Sequence, residues 1–292
     1  MKPPPFDYFD PATLEDALSL LNDLDRGAKI LAGGQSLLPM LKIRMAKPGA
    51  LIDINRLDEL RVMADDDEGL KVGAIVRQLA LAKHEGLAEI NPLLAEALPL
   101  IGHVQTRSRG TICGSLAHAD PSAELPAVAV TQGARFTLQS RRGERVVSAQ
   151  NFFRKPHTTI MDRDEMLTHV TFPRWQHGDG WAIEEVGRRP GDFALAGVAV
   201  LLSPANGVCV RARITSFGLA DVPRRASAAE ALLEGKPLTP SLVDSVVTRV
   251  QAEMKTQSDI HASADYRRQL IGALTRRTLL RAAKRAGLYF NG

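Results

Sequence analysis

Two short segments combine glycine with small polar residues, a composition suited to binding an anion. The first glycine segment, residues 32–36, reads Ala-Gly-Gly-Gln-Ser, and the second, residues 110–115, reads Gly-Thr-Ile-Cys-Gly-Ser. Because glycine has no Cβ atom, a diphosphate can approach the backbone closely, and successive amides can form a concave nest whose dipoles point at the negative charge. The hydroxyl groups of Ser36, Thr111 and Ser115 add possible hydrogen-bond donors.

Either glycine segment alone is more simply explained as a tight turn after a strand. Two such segments in one domain shift the balance slightly towards a shared anion site. Neither has the Gly-x-Gly-x-x-Gly pattern that opens a Rossmann helix, and neither ends in the Gly-Lys-Ser or Gly-Lys-Thr of a phosphate loop. The sequence therefore disfavours a Rossmann nicotinamide-binding domain and an ordinary ATPase.

A histidine and an aspartate follow the second glycine segment in the run Ala-His-Ala-Asp-Pro, where His118 and Asp120 are one residue apart. They could form part of a metal or catalytic site, but no third ligand stands at a recognised metal spacing, so a structural or cofactor-contacting role is favoured. No serine lies in a Gly-x-Ser-x-Gly setting, and Cys113 has no recognised nucleophile context. Hydrolase chemistry has little support.

Composition excludes several classes of protein. The 292 residues carry a net charge of +4, but the basic residues are dispersed and aromatic residues make up only 5%, which disfavours nucleic-acid binding. No apolar run approaches the roughly 18 residues of a membrane span. Two cysteines are too few for a disulfide framework or an iron–sulfur cluster, and residues 1–10 lack the pattern of a secretory signal. We expect a cytoplasmic protein.

The elements around the glycine segments alternate between helical and extended patterns. A capping arrangement of Thr13 and Asp16 opens a helix, and the strand at residues 29–32 runs into the first glycine segment. Further elements of the first part comprise strands at residues 50–54 and 70–74, helices at 79–84 and 92–101, a polar segment at 106–115, and a hairpin turning at Gly143. The first part is therefore mixed α and β.

A strand at residues 166–172 ends at Pro173 and a Gly-Asp-Gly cluster, so we place a domain boundary near residue 175. The second part reads as three strands followed by three helices, at residues 181–186, 193–202, 208–217, 228–233, 242–255 and 265–286. The last helix is rich in basic residues, namely Arg267, Arg268, Arg276, Arg277, Arg281, Lys284 and Arg285. Such a pattern is usually a solvated face, and a docking face for a partner is the alternative.

Longer motifs resemble one known family. Residues 106–126 closely resemble the second FAD loop of the medium subunits of molybdenum hydroxylases, the xanthine dehydrogenase and aerobic carbon monoxide dehydrogenase type. The first glycine segment is similar to that family's first FAD loop. The run Arg-Arg-Pro-Gly-Asp-Phe-Ala at 188–194 resembles its motif at the start of the carboxy-terminal domain, and residues 265–268 resemble its late helix. The matches follow the family's order along nearly the whole chain.

The resemblance implies an α+β fold. An FAD-binding domain of the vanillyl-alcohol-oxidase (PCMH) type is expected at residues 1–175, made of two α+β parts at about 1–57 and 58–175, with a small domain of antiparallel strands and helices at 176–292. It further implies that the two glycine segments hold the FAD diphosphate, that Asp120 and Glu124 accept hydrogen bonds from FAD, and that Leu167 makes an apolar contact. The full implied FAD-binding set is Ile30, Leu31, Ala32, Gly33, Gly34, Gln35, Ser36, Leu37, Ile101, Thr111, Cys113, Gly114, Ser115, Asp120, Glu124, Leu167 and Glu185.

Two positions depart from the family's pattern. Cys113 stands where many relatives have glycine, and if the backbone there has a positive φ the cysteine costs roughly 1 kcal/mol. Glu184 and Glu185 stand where some relatives place a lysine near the isoalloxazine ring. A carboxylate there, if it stays ionised, disfavours the anionic reduced flavin and lowers its potential.

In function, the resemblance implies an FAD-binding electron-transfer subunit without a catalytic side chain or metal ligand of its own. A large partner subunit would carry the molybdenum cofactor and a small partner subunit the [2Fe-2S] clusters, in a dimer of heterotrimers, with NAD, dioxygen or a quinone as the external acceptor. The substrate stays open among carbon monoxide, purines, N-heterocycles and aldehydes. The alternatives are a stand-alone FAD-dependent oxidase or dehydrogenase and a scaffold without cofactor.

Overall fold

A computed structural model describes residues 2–23 and 27–290. Outside the described residues lie Met1 and residues 24–26 of the first expected domain and residues 291–292 of the second. The strands are β1 Asp7–Phe9, β2 Ala28–Leu31, β3 Ala50–Asp53, β4 Met63–Asp66, β5 Gly69–Gly73, β6 Arg135–Ser140, β7 Gly143–Ser148, β8 Phe153–Lys155, β9 Thr158–Thr159, β10 Met166–Pro173, β11 Gly180–Val186, β12 Ala196–Ala205, β13 Val208–Phe217 and β14 Arg224–Arg225. The α-helices are α1 Leu14–Asp23, α2 Leu37–Lys42, α3 Gln78–Ala82, α4 Leu87–Ile90, α5 Pro92–Ala97, α6 Val104–Arg109, α7 Ile112–His118, α8 Glu124–Gln132, α9 Ala149–Phe152, α10 Ser227–Leu233, α11 Pro240–Glu253 and α12 Ala264–Arg285. Short 3₁₀ helices occur at Asp58–Arg61 and Leu98–Leu100.

The first sheet has three parallel strands in the order β1-β3-β2. Helix α1 begins after Thr13, whose hydroxyl accepts a hydrogen bond from the Asp16 amide at 3.1 Å, as the capping pattern predicts. Its apolar positions Ala17, Leu18 and Leu21 are buried. The first glycine segment leaves the carboxyl end of β2 and leads directly into α2.

The second sheet has five strands in the order β4-β5-β10-β6-β7, all paired antiparallel. All residues of helix α8 are buried, including the polar residues Glu124, Thr131 and Gln132. Three aromatic side chains, Phe136, Phe152 and Phe153, pack edge to face with ring centroids 4.5 to 6.0 Å apart. The five-stranded sheet, helix α8 and these aromatic side chains form the main hydrophobic core of the first part of the chain.

The third sheet is antiparallel, in the order β11-β12-β13-β14, and helices α10, α11 and α12 follow it in sequence. Its core includes Val198, Val200, Val246 and Leu274. The apolar packing is continuous across residue 175, because Ile183 and Phe217 belong to the core cluster of the first part. The predicted α+β class is confirmed, and the strands after residue 175 precede the helices as predicted.

Three predicted elements are wrong in type or extent. The polar segment at 106–115 is mostly helical, and its residues 110–115 form more than a tight turn, since α6 ends at Arg109 and α7 begins at Ile112. The helix predicted to reach residue 101 stops at Ala97, because Pro99 lacks the amide that would continue the α-helical hydrogen bonds. The strand predicted from residue 193 begins at Ala196, and Phe193 is exposed.

The basic stretch of α12 is mostly exposed, as on a solvated face, but several of its side chains are paired with acidic residues. The exposed members are Arg268, Arg276, Arg277, Lys284 and Arg285. Arg267 is buried, and its guanidinium donates to the carbonyls of Leu195 and Gly218 and pairs with Asp259. Other ion pairs join Arg276 to Asp244, Arg277 and Arg281 to Glu184, and Arg281 and Arg285 to Glu96. Sequence spacing missed these partners because they are far apart in the chain. Across the described residues, no helix combines the length and apolar character that crossing a membrane requires.

Candidate cofactor site

The first glycine segment presents backbone amides rather than burying them. The amides of Gly33, Gly34, Gln35 and Ser36 donate to no backbone carbonyl among the described residues. Gly34 has a φ of +72°, a conformation that strains any residue with a Cβ atom. Most of the segment is only half-buried. It therefore offers a row of free donors next to open space, as an anion nest requires.

The two glycine segments touch each other. A Cβ atom on Gly33 would lie 2.4 Å from the carbonyl oxygen of Arg109 and 2.8 Å from the Cα atom of Gly110. Only glycine permits this approach, because real Cβ atoms do not come so close to backbone atoms. The glycine at position 33 thus allows two segments that are almost 80 residues apart in sequence to line one site.

The second glycine segment is the beginning of a helix. Thr111 is its N-cap, and the Thr111 hydroxyl accepts a hydrogen bond from the Gly114 amide at 3.0 Å. A Cβ atom on Gly114 would lie 2.6 Å from that hydroxyl oxygen, so the cap also requires glycine there. Ser115 is half-buried and its amide donates to the Thr111 carbonyl. The position of Thr111 is therefore set by its own helix.

A neighbouring segment holds the second glycine segment in place. Arg77 and Thr111 form an isolated antiparallel bridge, and the Gln78 amide donates to the Gly110 carbonyl at 2.9 Å. The Gln78 side chain is buried, donates to the Thr111 carbonyl at 3.4 Å, and leaves its Oε1 atom without a hydrogen-bond partner among the described residues. A buried amide oxygen without a partner marks a place where a further donor would fit.

Cys113 points into the core rather than into open space. Cys113 lies in helix α7 and does not have a positive φ, so the backbone strain considered above is absent at this position. Its thiol lies 3.5 Å from the Val72 carbonyl, and burial raises the pKa of the thiol to about 12. The thiol is therefore protonated at neutral pH, and only the backbone of Cys113 remains available to a cofactor.

A second group of the implied residues forms an acidic cluster at the start of α8. Burial, with a smaller contribution from the charge of Asp120, raises the pKa of Glu124 to about 7, against the opposing effects of a hydrogen bond from its own backbone amide and of the charge of Arg107. Burial, and then the charge of Glu124, raise the pKa of Glu185 to about 8. The Oε2 atom of Glu185 is buried and has no hydrogen-bond partner within the described part of the chain. Glu124 therefore lies within electrostatic reach of both Asp120 and Glu185.

These pKa values change the interpretation of Glu185. A carboxylate lowers a flavin potential only while it is ionised, and a pKa of about 8 leaves Glu185 mostly protonated at neutral pH. Its neighbour Glu184 is turned elsewhere, towards Arg277 and Arg281 at 2.9 and 3.0 Å. At pH 7, Glu185 is thus not the ionised carboxylate that was expected to lower the flavin potential.

The remaining implied residues lie in supporting positions. Arg107 donates to the carbonyls of Ile101 and Gly102 at 2.7 and 2.9 Å and so fixes the chain around the buried Ile101. Leu167 is buried in β10, opposite Leu138. Half-buried residues at the ends of β2 and α2 flank the first glycine segment, namely Ile30, Leu31 and Leu37.

His118 and Asp120 acquire a neighbour that sequence spacing did not reveal. His157 stacks on His118 with a ring-centroid separation of 4.6 Å, and one possible ligand atom from each of the three residues lies within 4.8 Å of the others. The His157 amide donates to the Ala119 carbonyl, and both residues have a positive φ. The structure thus supplies the third possible ligand that sequence spacing lacked, and a structural or cofactor-contacting role of His118 and Asp120 stays a prediction.

Three residues outside the predicted set contact the glycine segments, namely Asn55, Arg77 and the Gln78 described above. Asn55 donates to the Ala32 carbonyl at 2.9 Å and accepts from Arg77 at 2.5 Å. A usable signal existed for Asn55, because it follows β3, and the carboxyl ends of the neighbouring parallel strands β2 and β3 meet at one sheet edge. Arg77 carried no such signal, since its partner Arg109 is 32 residues away.

The site fits FAD on three observations. At Gly33 only backbone occupies a place where a side chain would obstruct a diphosphate. The amides of the first glycine segment are free to donate. Buried oxygen atoms of Gln78 and Glu185 have no hydrogen-bond donor among the described residues. A dinucleotide carries both the diphosphate and the amine and hydroxyl donors that these groups require.

Comparison with known proteins agrees with this geometry. Residues 4–175 match the family described as the FAD binding domain in molybdopterin dehydrogenase, and residues 181–282 match the CO dehydrogenase flavoprotein C-terminal domain. The chain is 38% identical to the 6-hydroxypseudooxynicotine dehydrogenase complex subunit alpha of Paenarthrobacter nicotinovorans, over 98% of this chain and 97% of that protein. It is 36% identical to the carbon monoxide dehydrogenase medium chain of Hydrogenophaga pseudoflava, over 96% of this chain and 97% of that protein.

Solved structures show the same fold. A chain of the carbon monoxide dehydrogenase from Hydrogenophaga pseudoflava superposes with a TM-score of 0.95 at 38% identity, covering 98% of this chain and 99% of that one. The similarity thus extends over both domains. The chain belongs to the family of FAD-binding medium subunits of molybdenum hydroxylases, oxidoreductase components of the carbon monoxide dehydrogenase and xanthine dehydrogenase type.

Proposed function

We propose that this chain holds the FAD diphosphate between its two glycine segments and passes electrons from iron–sulfur clusters of a partner subunit to an external acceptor. The observation that carries the proposal is the contact between Gly33 and the backbone at Arg109 and Gly110. It turns two separate nests of small residues into one continuous anion site. When bound, FAD supplies the electron-transfer chemistry, and the protein supplies binding, orientation and electrostatic tuning.

Different residues of the site would contact different groups of FAD. The backbone amides of the first glycine segment, with the hydroxyls of Ser36, Thr111 and Ser115, would donate to the diphosphate. Asp120 and Glu124 would accept from hydroxyl or amine groups of the cofactor. Ile101 and Leu167 would supply apolar contacts, and Glu185 would lie near the isoalloxazine ring. Flanking contacts are proposed for Ile30, Leu31, Leu37, Gln35, Cys113 and Gly114.

The proposed assembly is a cytoplasmic complex with a large molybdenum-cofactor subunit and a small [2Fe-2S] subunit, as a dimer of heterotrimers. Its support is the full-length similarity to chains named as complex subunits and medium chains. NAD, dioxygen or a quinone would accept the electrons. The names of the relatives range from carbon monoxide to N-heterocycle dehydrogenases, which is consistent with a substrate chosen by the molybdenum subunit.

We also propose that the chain divides near residue 175, with parts at 1–57, 58–175 and 176–292. Each sheet lies within one of these parts, since β1 to β3 end at Asp53, the second sheet spans β4 to β10, and the third begins at Gly180. Limited proteolysis would test the division. A first cleavage near the exposed Gly178 supports the boundary near residue 175, and a first cleavage within any of the three sheets counts against it.

The direct test of function is an absorption spectrum of the protein purified from its native source with whatever copurifies, together with metal analysis and gel separation. Flavin bands with molybdenum, iron and two further chains are expected. Flavin alone, under conditions that preserve complexes, would instead assign a stand-alone flavoenzyme. No flavin, with reconstitution also failing, would reject both functions and leave a scaffold without cofactor.

A further inference from the structure

Asn55 and Arg77 join the two glycine segments through one continuous chain of hydrogen bonds. The Asn55 side-chain amide donates to the carbonyl of Ala32, in the first glycine segment, at 2.9 Å. The Asn55 Oδ1 atom accepts from the Arg77 guanidinium at 2.5 Å, and a second nitrogen of that guanidinium donates to the Arg109 carbonyl, next to the second glycine segment, also at 2.5 Å. We call these two residues the clamp.

The clamp spans the same gap that Gly33 closes. The Arg109 carbonyl that receives the guanidinium is the atom that a Cβ on Gly33 would strike at 2.4 Å. The backbone of Arg77 is fixed independently by its bridge to Thr111. Asp53 fixes Asn55 in turn, because its Oδ1 atom accepts from both the amide and the side chain of Asn55. Both arms of the clamp therefore start from anchored backbone.

A planar guanidinium suits this position better than any other side chain. Its donors diverge in a rigid fork, so one group can reach two acceptors on different segments, whereas a lysine ammonium acts as a compact point charge. The environment is not otherwise favourable to a cation, since Arg77 is partly desolvated and lies near Arg109 and Arg61, which lower its pKa. The arginine is thus held there by its two acceptors.

We infer that Asn55 and Arg77 are positioning residues that set the separation of the two glycine segments for the cofactor diphosphate. The inference rests on the FAD binding proposed above. The first segment follows a strand of the three-stranded sheet, and the second begins a helix packed near the five-stranded sheet. Without the clamp, each segment keeps its local structure, but the distance between their donors is no longer fixed, which weakens binding of a rigid dianion.

The test is FAD binding to the full chain freed of flavin, measured by quenching of flavin fluorescence. Arg77→Met keeps much of the aliphatic stem and removes both donors, and Asn55→Ala removes the central link. Each is expected to raise the Kd for FAD about tenfold or more. Arg56→Met is the matched control, because Arg56 is adjacent to Asn55 in sequence but is exposed and pairs with Asp10. Its Kd should stay within about twofold of the wild type.

Two further measurements separate positioning from charge and from folding. Arg77→Lys retains the charge but not the fork, so it should bind FAD nearly as weakly as Arg77→Met, and wild-type affinity in this variant would overturn the clamp. The double variant should be little weaker than Arg77→Met alone, because both changes break the same link; multiplied losses would contradict the inference. The flavin-free variants should unfold close to the wild-type midpoint, and a large common fall in stability would assign the residues a merely structural role.

The outcomes distinguish this inference from the function on which it rests. If the wild-type chain and Arg56→Met bind no FAD, the proposed function fails and the inference falls with it. If both bind FAD, and Arg77→Met and Asn55→Ala bind it equally well, the proposed function survives and the clamp is rejected.

Discussion

Glu185, on β11, lies within the electrostatic reach of Glu124, the first residue of α8, and both carboxyl groups are largely removed from water. The two residues belong to different predicted domains and are 61 positions apart. Burial therefore raises the pKa of Glu185 first, and the charge of Glu124 adds to that shift.

The pair predicts a pH dependence of stability. Between the ordinary pKa of a glutamate and about 8, the folded chain keeps a proton on Glu185 that the unfolded chain has released, so stability falls as pH rises through this window. Glu185→Gln removes this proton exchange. The wild-type midpoint of thermal unfolding should fall more steeply between pH 6.5 and 8 than that of the variant, measured by circular dichroism on flavin-free chains.

The control for this prediction is Glu89→Gln, since Glu89 is exposed on α4. Its thermal midpoint should follow the wild-type slope with pH. Parallel slopes for the wild type and Glu185→Gln would show that Glu185 does not keep its proton in the folded chain.

Flavin potential should depend on the same group, if Glu185 lies near the isoalloxazine ring as proposed. At pH 6.5 the carboxyl is protonated, so Glu185→Gln and the wild type should have nearly equal potentials in a redox titration. At pH 9 the wild-type carboxylate disfavours the reduced flavin, so the variant should have the higher potential. A difference independent of pH, or no difference at pH 9, would count against this placement.

The contact at Gly33 predicts a graded response to alanine. Gly33→Ala places a Cβ atom 2.4 Å from the Arg109 carbonyl oxygen, so the glycine segments must move apart and the Kd for FAD should rise about tenfold or more. Gly34→Ala introduces mainly the strain of a φ of +72°, about 1 kcal/mol, and should weaken binding about fivefold. Flavin fluorescence measures both, and a stronger effect at Gly34 than at Gly33 would be the contrary result.

An ion-pair network joins the two predicted domains. Arg281 donates to Glu96 at 2.5 Å, to Glu184 at 3.0 Å and to the Ile183 carbonyl at 2.6 Å. Arg281→Met should lower the free energy of unfolding by about 1 kcal/mol, a modest value because these charges are partly exposed. Arg277→Met is the comparison, since Arg277 pairs with Glu184 alone at a more exposed position, and its loss should be smaller.

Urea denaturation would measure the free energies of both arginine variants. Salt provides a second readout, since screening should narrow the difference between Arg281→Met and the wild type at high ionic strength. An effect of Arg277→Met as large as that of Arg281→Met would show that the contact with Glu96 contributes nothing.

The sequence by itself determined much of the fold and the two central segments of the site. Apolar periodicity predicted α1, β2, β3 and the strands and helices after residue 180. It could do so because the buried face of a helix or strand produces a regular spacing of apolar residues along the sequence. Glycine identified both segments, since only glycine permits a close approach to the backbone. The long motif at 106–126 identified the family, which the matches over residues 4–175 and 181–282 show.

Only the tertiary structure decided how these parts meet. The contact between Gly33 and Arg109, the clamp of Asn55 and Arg77, and the ion pairs of α12 join residues distant in sequence, so no local pattern could predict them. The protonation of Glu185 and the thiol of Cys113 depend on burial, which arises when separate elements pack together and remove water. The sequence supplied the groups of the site, and packing determined their distances and their charges.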